Sequence, residues 1–204
     1  MLTDPALLKT LPPRELRAGM VESVKAAVLG DRAYFDWLEK NCGALLRGQL
    51  DTLTQAIHVS VRIKARIVSA DERESGQRML LNLGHTVGHA IEAATQYRKL
   101  LHGEAIAWGM IAAVRLAVAR NALRAADAAR VERILFRLGP LPKFSATPQR
   151  LLQLTGADKK NRSRTRNFIL PVQLGKAIVV TDVTDAELLA AIRSIMQTVQ
   201  ELGA

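Results

Sequence analysis

Apolar residues recur every three or four positions through most of this 204-residue chain, the period of helices with one buried face. The stretch "PPRELRAGMVESVKAAVLGD" opens on prolines suited to a first helical turn and stops at Gly30, where Asp31 can cap the next helix. The same period predicts helices from Asp31 to about Asn41, Leu50 to about Ala70, Gln77 to Ala94, Gly103 to Ala119 and Ala125 to Leu138. After "GPLPK" the pattern changes. A short helix near Gln149 to Leu154 precedes the basic stretch "DKKNRSRTR", and "NFILPVQLGKAIVVTDV" is β-branched and apolar on both sides of a Gly175 turn. That is a hairpin signal, with Pro171 confining its strand to a sheet edge. "TDAELLAAIRSIMQTVQEL" closes the chain as a helix capped by Thr184 or Asp185. The expected fold is mainly α: one multi-helical bundle over 1–204 with one small β-hairpin near the C-terminus.

Composition narrows the classes of function. At 49% hydrophobic and 24% charged residues the chain can bury a core of its own. Its one cysteine, Cys42, excludes an internal disulfide framework, and no leader pattern or bilayer-length apolar run is present, the longest being interrupted by Arg115. A cytoplasmic protein with no membrane partner is expected. The net charge of +10 suits an anionic partner, but aromatics at 4% and never interleaved with basic residues argue against nucleic acid. Strands do not alternate with helices and no two glycines are adjacent, so a glycine-rich dinucleotide turn is absent.

Candidate chemistry gathers in "LNLGHTVGHAIEAATQYRKLLHGEA", which holds three of the four histidines. On one helix from Gln77 to Ala94, Arg78, Asn82, His85 and His89 are spaced by four, three and four residues and share a stripe. Gly84 and Gly88 leave room beside it for something to approach closely. The plainer alternative is one core histidine and one capping a carbonyl. His102 shifts the balance, because a hairpin of two helices would return it to the level of His85. Two imidazoles and a carboxylate make a three-ligand zinc site with an open position. Glu22 is a candidate for the carboxylate, with Lys25 one turn along; read plainly, those two are an exposed ion pair worth a few tenths of a kcal/mol.

The segments "TLPPRELRAGMVESVK", "KARIVSADERESGQRMLLNLGHTVGHAIEAATQY", "HGEAIAWGM" and "DKK…NFILPVQLGKA" resemble, in that order, the C-terminal domain of 3-dehydroquinate synthase. The resemblance implies Glu22, His85 and His102 as ligands of zinc or cobalt. It implies Lys25, Lys64, Arg78 and Asn82 as substrate-holding residues, with Glu22, His89 and His102 also at the substrate. Glu74 and His89 match proton acceptors, and Lys159 or Lys160 a further substrate contact. The implied substrate is a phosphorylated small molecule, a seven-carbon keto acid phosphate. The family oxidises a secondary alcohol with NAD, eliminates phosphate, reduces the ketone and closes a carbocycle by aldol addition. The NAD-binding domain would lie N-terminal to the residues present, so the chain is expected to be incomplete alone, and family members are commonly homodimers. Two alternatives are a cyclase acting on another sugar phosphate and a non-catalytic module that uses "KKNRSRTR" to bind RNA or an acidic protein.

Overall fold

The computed structural model describes residues 4–71, 76–156 and 167–202. Its helices are α1 (Pro13–Gly30), α2 (Arg32–Leu46), α3 (Leu50–Ala70), α4 (His85–Ala94), α5 (His102–Ala119), α6 (Ala125–Leu138), α7 (Pro148–Thr155) and α8 (Asp185–Glu201). Strands β1 (Phe168–Gln173) and β2 (Lys176–Val180) form an antiparallel hairpin. The fold is the helical bundle with a small hairpin that the periodicity predicts. An additional 3₁₀ turn at Pro5–Thr10 was not expected from the sequence.

Helix α5 is the axis of the molecule. From Gly103 to Val114 every residue is buried, as the all-round apolar sequence requires, and α1, α4, α6, α8 and β1 pack around it. Its interrupting charge, Arg115, is compensated: Nε and Nη2 donate to the two oxygens of Glu132 at 2.9 and 2.8 Å, and Nη1 donates to the Ser194 carbonyl at 2.8 Å. A paired guanidinium of this kind avoids the penalty of burying a lone charge. Trp108, fully buried, donates from Nε1 to the Pro142 carbonyl at 3.1 Å and meets the edges of Phe136 and Phe144.

Helix caps follow the sequence closely. Asp31 accepts from the Tyr34 amide at 3.0 Å, and Thr184 with Glu187 forms a reciprocal cap on α8. In the hairpin Phe168 pairs with Val180 and Leu170 with Ile178, with an irregularity between Pro171 and Gln173 where proline cannot donate. The turn at Gly175 has φ +87°, and its amide donates to the Val28 carbonyl at 3.0 Å. A side chain at Gly175 would meet the Arg32 amide nitrogen at 2.7 Å, so the hairpin sits directly on the α1–α2 junction.

The expected single helix from Gln77 to Ala94 is not formed. Residues Gln77–Asn82 make a 3₁₀ turn, Gly84 adopts φ +81°, and α4 begins at His85. The break has a packing cause: a Cβ on Gly84 would lie 2.9 Å from both the Ile106 carbonyl and the Met110 amide nitrogen of α5. The glycines beside the histidines therefore admit a neighbouring helix. They do not open space for a ligand, as the stripe suggested. Gly88 faces the Ala105 carbonyl, and Gly109 faces the Gly84 carbonyl at a projected 1.9 Å. Gly103 plays the same part toward α1, its projected Cβ falling 2.0 Å from the Ala18 carbonyl.

Candidate metal and anion site

Those glycine contacts decide which side chains meet. Gly103 draws α1, which carries Glu22 one turn after Ala18, against the start of α5, which carries His102. Gly109 draws α4, which carries His85, against the same helix. The His85 and His102 rings are 5.4 Å apart between centroids, and ligand atoms of Glu22, His85 and His102 all lie within 4.8 Å of one another. Bonds of about 2.0–2.2 Å at tetrahedral angles put ligand atoms roughly 3.4 Å apart, so small rotamer adjustments close the set on a cation.

Hydrogen bonding prepares both rings for that role. His85 Nδ1 lies 3.2 Å from the Leu83 carbonyl, which can only accept, so Nδ1 carries the proton and Nε2 keeps its lone pair. His102 Nδ1 lies 3.0 Å from Glu92 Oε1, with the same consequence. Burial, then the charge of Lys25, holds the His85 pKa down at about 4, so its ring is neutral at neutral pH. A carboxylate and two imidazoles from three helices form a donor set suited to zinc or cobalt.

The group borders a cavity of about 790 Å³ walled by α1, α3, the 77–82 turn, α4 and the start of α5. That volume suits a small phosphorylated molecule. Lys25, Lys64, Arg78 and Asn82 line it with Glu22, His85 and His102. Arg78 and Asn82 thus reach the same space as His85 from a separate turn, although not along one helical stripe. Asp71 orients that turn: its Oδ2 accepts from the amides of Gly76 at 2.7 Å and Arg78 at 3.0 Å. Tyr34 of α2 donates to the Ala56 carbonyl of α3 at 2.8 Å and touches Ser60, one turn before Lys64. Arg66 donates to the Gly30 carbonyl at 2.7 Å, fixing α3 against the end of α1.

The Glu22–Lys25 pair is not the exposed surface pair of the plain reading. Lys25 is buried, its side chain 7% exposed, and its Nζ lies 2.7 Å from Glu22 Oε2. Burial lowers its pKa, Glu22 opposes that shift, and the nearby charge of Lys64 adds to it. His89 stands outside the cavity wall, half exposed, with its ring 5.0 Å from that of His85. Glu74, Lys159 and Lys160 lie outside the described residues. Two residues went unnoticed in the sequence. Glu92 is signalled only by being an acid three residues after His89 on a buried helix face, and Asp71 by nothing local. Among the described residues no helix is long and apolar enough to cross a membrane.

Comparison with known proteins agrees with the sequence resemblance. Residues 19–161 match the family described as 3-dehydroquinate synthase C-terminal. The 3-dehydroquinate synthase of Koribacter versatilis is 40% identical over 202 residues, covering 99% of this chain and 53% of that protein. Among solved structures, 2-epi-5-epi-valiolone synthase from Streptomyces hygroscopicus subsp. jinggangensis, with NAD+ and Zn2+ bound, superposes with a TM-score of 0.85 at 30% identity, over 96% of this chain and 55% of the other. A 2-deoxy-scyllo-inosose synthase complexed with carbaglucose-6-phosphate, NAD+ and Co2+ gives 0.81 at 26% identity, over 94% and 55%. The chain spans about half the length of the relatives it matches.

Proposed function

We propose, from the premise that this chain belongs to the 3-dehydroquinate synthase family, that it supplies the metal- and substrate-binding part of such an enzyme. The reaction is conversion of 3-deoxy-D-arabino-heptulosonate 7-phosphate to 3-dehydroquinate and phosphate, in the shikimate route to aromatic amino acids. The observation that carries the reading is the convergence of Glu22, His85 and His102 at the edge of a cavity that Lys25, Lys64 and Arg78 make cationic. Relatives extend beyond the matched half, so NAD binding is assigned to an N-terminal part of the kind they carry. A cytoplasmic location and a homodimeric assembly belong to the same reading.

Each residue has a distinct task. Glu22, His85 and His102 would hold a divalent ion, which would supply Lewis-acid polarisation of a substrate oxygen. Arg78 offers a planar fork to a carboxylate or phosphate, while Lys25 and Lys64 are point charges on facing helices. Asn82 can both donate and accept toward a substrate hydroxyl. His89, exposed beside His85, and Glu74 are assigned as proton acceptors by family resemblance. Lys159 or Lys160 completes the anion contacts by family resemblance.

Fusing the chain to the N-terminal part of a relative and assaying phosphate release from the seven-carbon substrate with NAD+ and zinc tests this directly. Release that disappears in Arg78→Ala and His85→Ala is expected; a folded, zinc-loaded fusion that releases none refutes the proposal. The solved neighbours include cyclases with other names, so product identity matters. A carbocycle other than 3-dehydroquinate would assign the chain to that second group.

A further inference from the structure

We infer that Glu92 is the positioning residue of the metal centre, fixing the ring of His102 so that Nε2 faces the cation; the inference rests on the metal reading above. Helix α4 buries Val87, Ala90 and Ile91 against the core, and among them stands the Glu92 carboxylate, its side chain only 9% exposed. A buried carboxylate is costly unless it is partnered, and its partner is His102 Nδ1 at 3.0 Å. The backbone of the same residue secures the chain leading to that histidine. The Glu92 carbonyl accepts from the Tyr97 amide at 2.8 Å and from Thr95 Oγ1 at 3.2 Å.

His102 needs such support. It is the first residue of α5, its side chain is half exposed, and it is reached through Gln96 and Tyr97, both left-handed at φ +56°. A ring placed there without an acceptor on Nδ1 could rotate or exchange tautomers, presenting the wrong nitrogen. The carboxylate removes both freedoms and raises the basicity of the opposite nitrogen. Glu104 anchors the loop from the other side, accepting from the Leu101 amide at 2.8 Å and from Arg14, but touches no imidazole. Glu92 is therefore the carboxylate that couples the fold to this ligand's orientation. Its second oxygen lies 4.0 Å from His89 Nε2, so a rival arrangement would hold the ion among His89, Glu92 and His102.

The test measures zinc affinity of the whole chain by chelator competition, and the visible spectrum of its cobalt form, for wild type, Glu92→Gln, Glu92→Ala, Glu22→Gln and His85→Ala. Gln keeps an acceptor oxygen without the charge, whereas Ala removes both. Removing the carboxylate that hydrogen-bonds a ligating imidazole costs about 10–100-fold in metal affinity, so Glu92→Gln should bind roughly tenfold more weakly and Glu92→Ala weaker still, with altered cobalt bands. Unchanged affinity and spectrum in both, with a lower melting temperature at most, would overturn the positioning role while leaving the metal site intact. Loss of binding in Glu92→Ala with full binding in Glu22→Gln and His85→Ala would move the ion to the rival arrangement and overturn both readings. A wild type that binds no zinc would remove the site and the inference together.

Discussion

Replacing Gly109 by alanine places a methyl group where α5 crosses α4. Its Cβ would fall 1.9 Å from the Gly84 carbonyl oxygen and 2.9 Å from the Gly88 amide nitrogen, both backbone atoms that no side-chain rotation can move. A carbon–oxygen contact settles near 3.3 Å, so the two helices must separate by about 1.4 Å or bend. Overpacking at the severe end costs about 3 kcal/mol, and the better helix propensity of alanine returns about 1 kcal/mol. A net loss of about 2 kcal/mol in a domain of this size lowers the melting temperature by about 4–8 °C. Gly109 is seven residues from His102, about 10 Å along the helix. Yet the separation also displaces His85, and a zinc site tolerates only about 0.2 Å of error in its bonds. The variant should thus lose both thermal stability and most of the melting shift that zinc confers on the wild type. Gly19→Ala is the control: nothing lies within 4 Å of its projected Cβ, so it should gain up to about 1 kcal/mol. Scanning calorimetry with and without zinc checks all three proteins. Gly109→Ala melting like the wild type, with an undiminished zinc shift, would refute the claim that glycine contacts bring the ligands together.

Asp71→Ala removes the acceptor of the Gly76 and Arg78 amides and should cost about 1–3 kcal/mol in urea unfolding, together with a weaker stabilisation by phosphate. Arg78→Lys keeps the charge but not the planar fork; in the fused enzyme it should raise KM for the phosphorylated substrate about tenfold with a smaller change in kcat, whereas unchanged KM would exclude a bidentate contact. Arg120 first, then Thr184, hold the Glu187 carboxyl down at about 2 from 4.5. Because the folded-state value is the lower one, its stabilisation is complete above pH 4.5 and drains away as pH falls toward 2. The urea midpoints of wild type and Glu187→Gln should therefore differ at pH 6 and converge only as the pH approaches about 2; a difference constant across that range would be inconsistent with the ion pair as its source.

Much of the fold could be read from the chain because its helices obey local rules. Proline opens α1, Asp31 and Thr184 cap their helices, and α5 is apolar on every side because it is surrounded. The error at Leu83–Gly84 arose where tertiary packing overrode periodicity: α5 presses so closely that the helix must break, and sequence spacing carries no trace of that pressure. The meeting of His85 with His102 was accessible because the helices that carry them, α4 and α5, follow one another in the chain and fold back as a pair. Placing Glu22 against them required knowing how α1 lies on α5, and only the family resemblance supplied that. Glu92 and Asp71 stayed hidden for a related reason, since each acts through a partner that is distant along the helix period or belongs to the backbone.

Equilibrium dialysis of the purified chain against zinc at neutral pH, with Glu22→Gln, His85→Ala and His102→Ala beside it, is the most direct measurement of whether three helices hold one cation. One tightly bound ion per wild-type chain, and loss of that ion in every folded variant, is the expected outcome. Zinc retained at full stoichiometry by His85→Ala or Glu22→Gln, or none bound by the wild type, would show that the carboxylate and imidazoles gather there for some other reason.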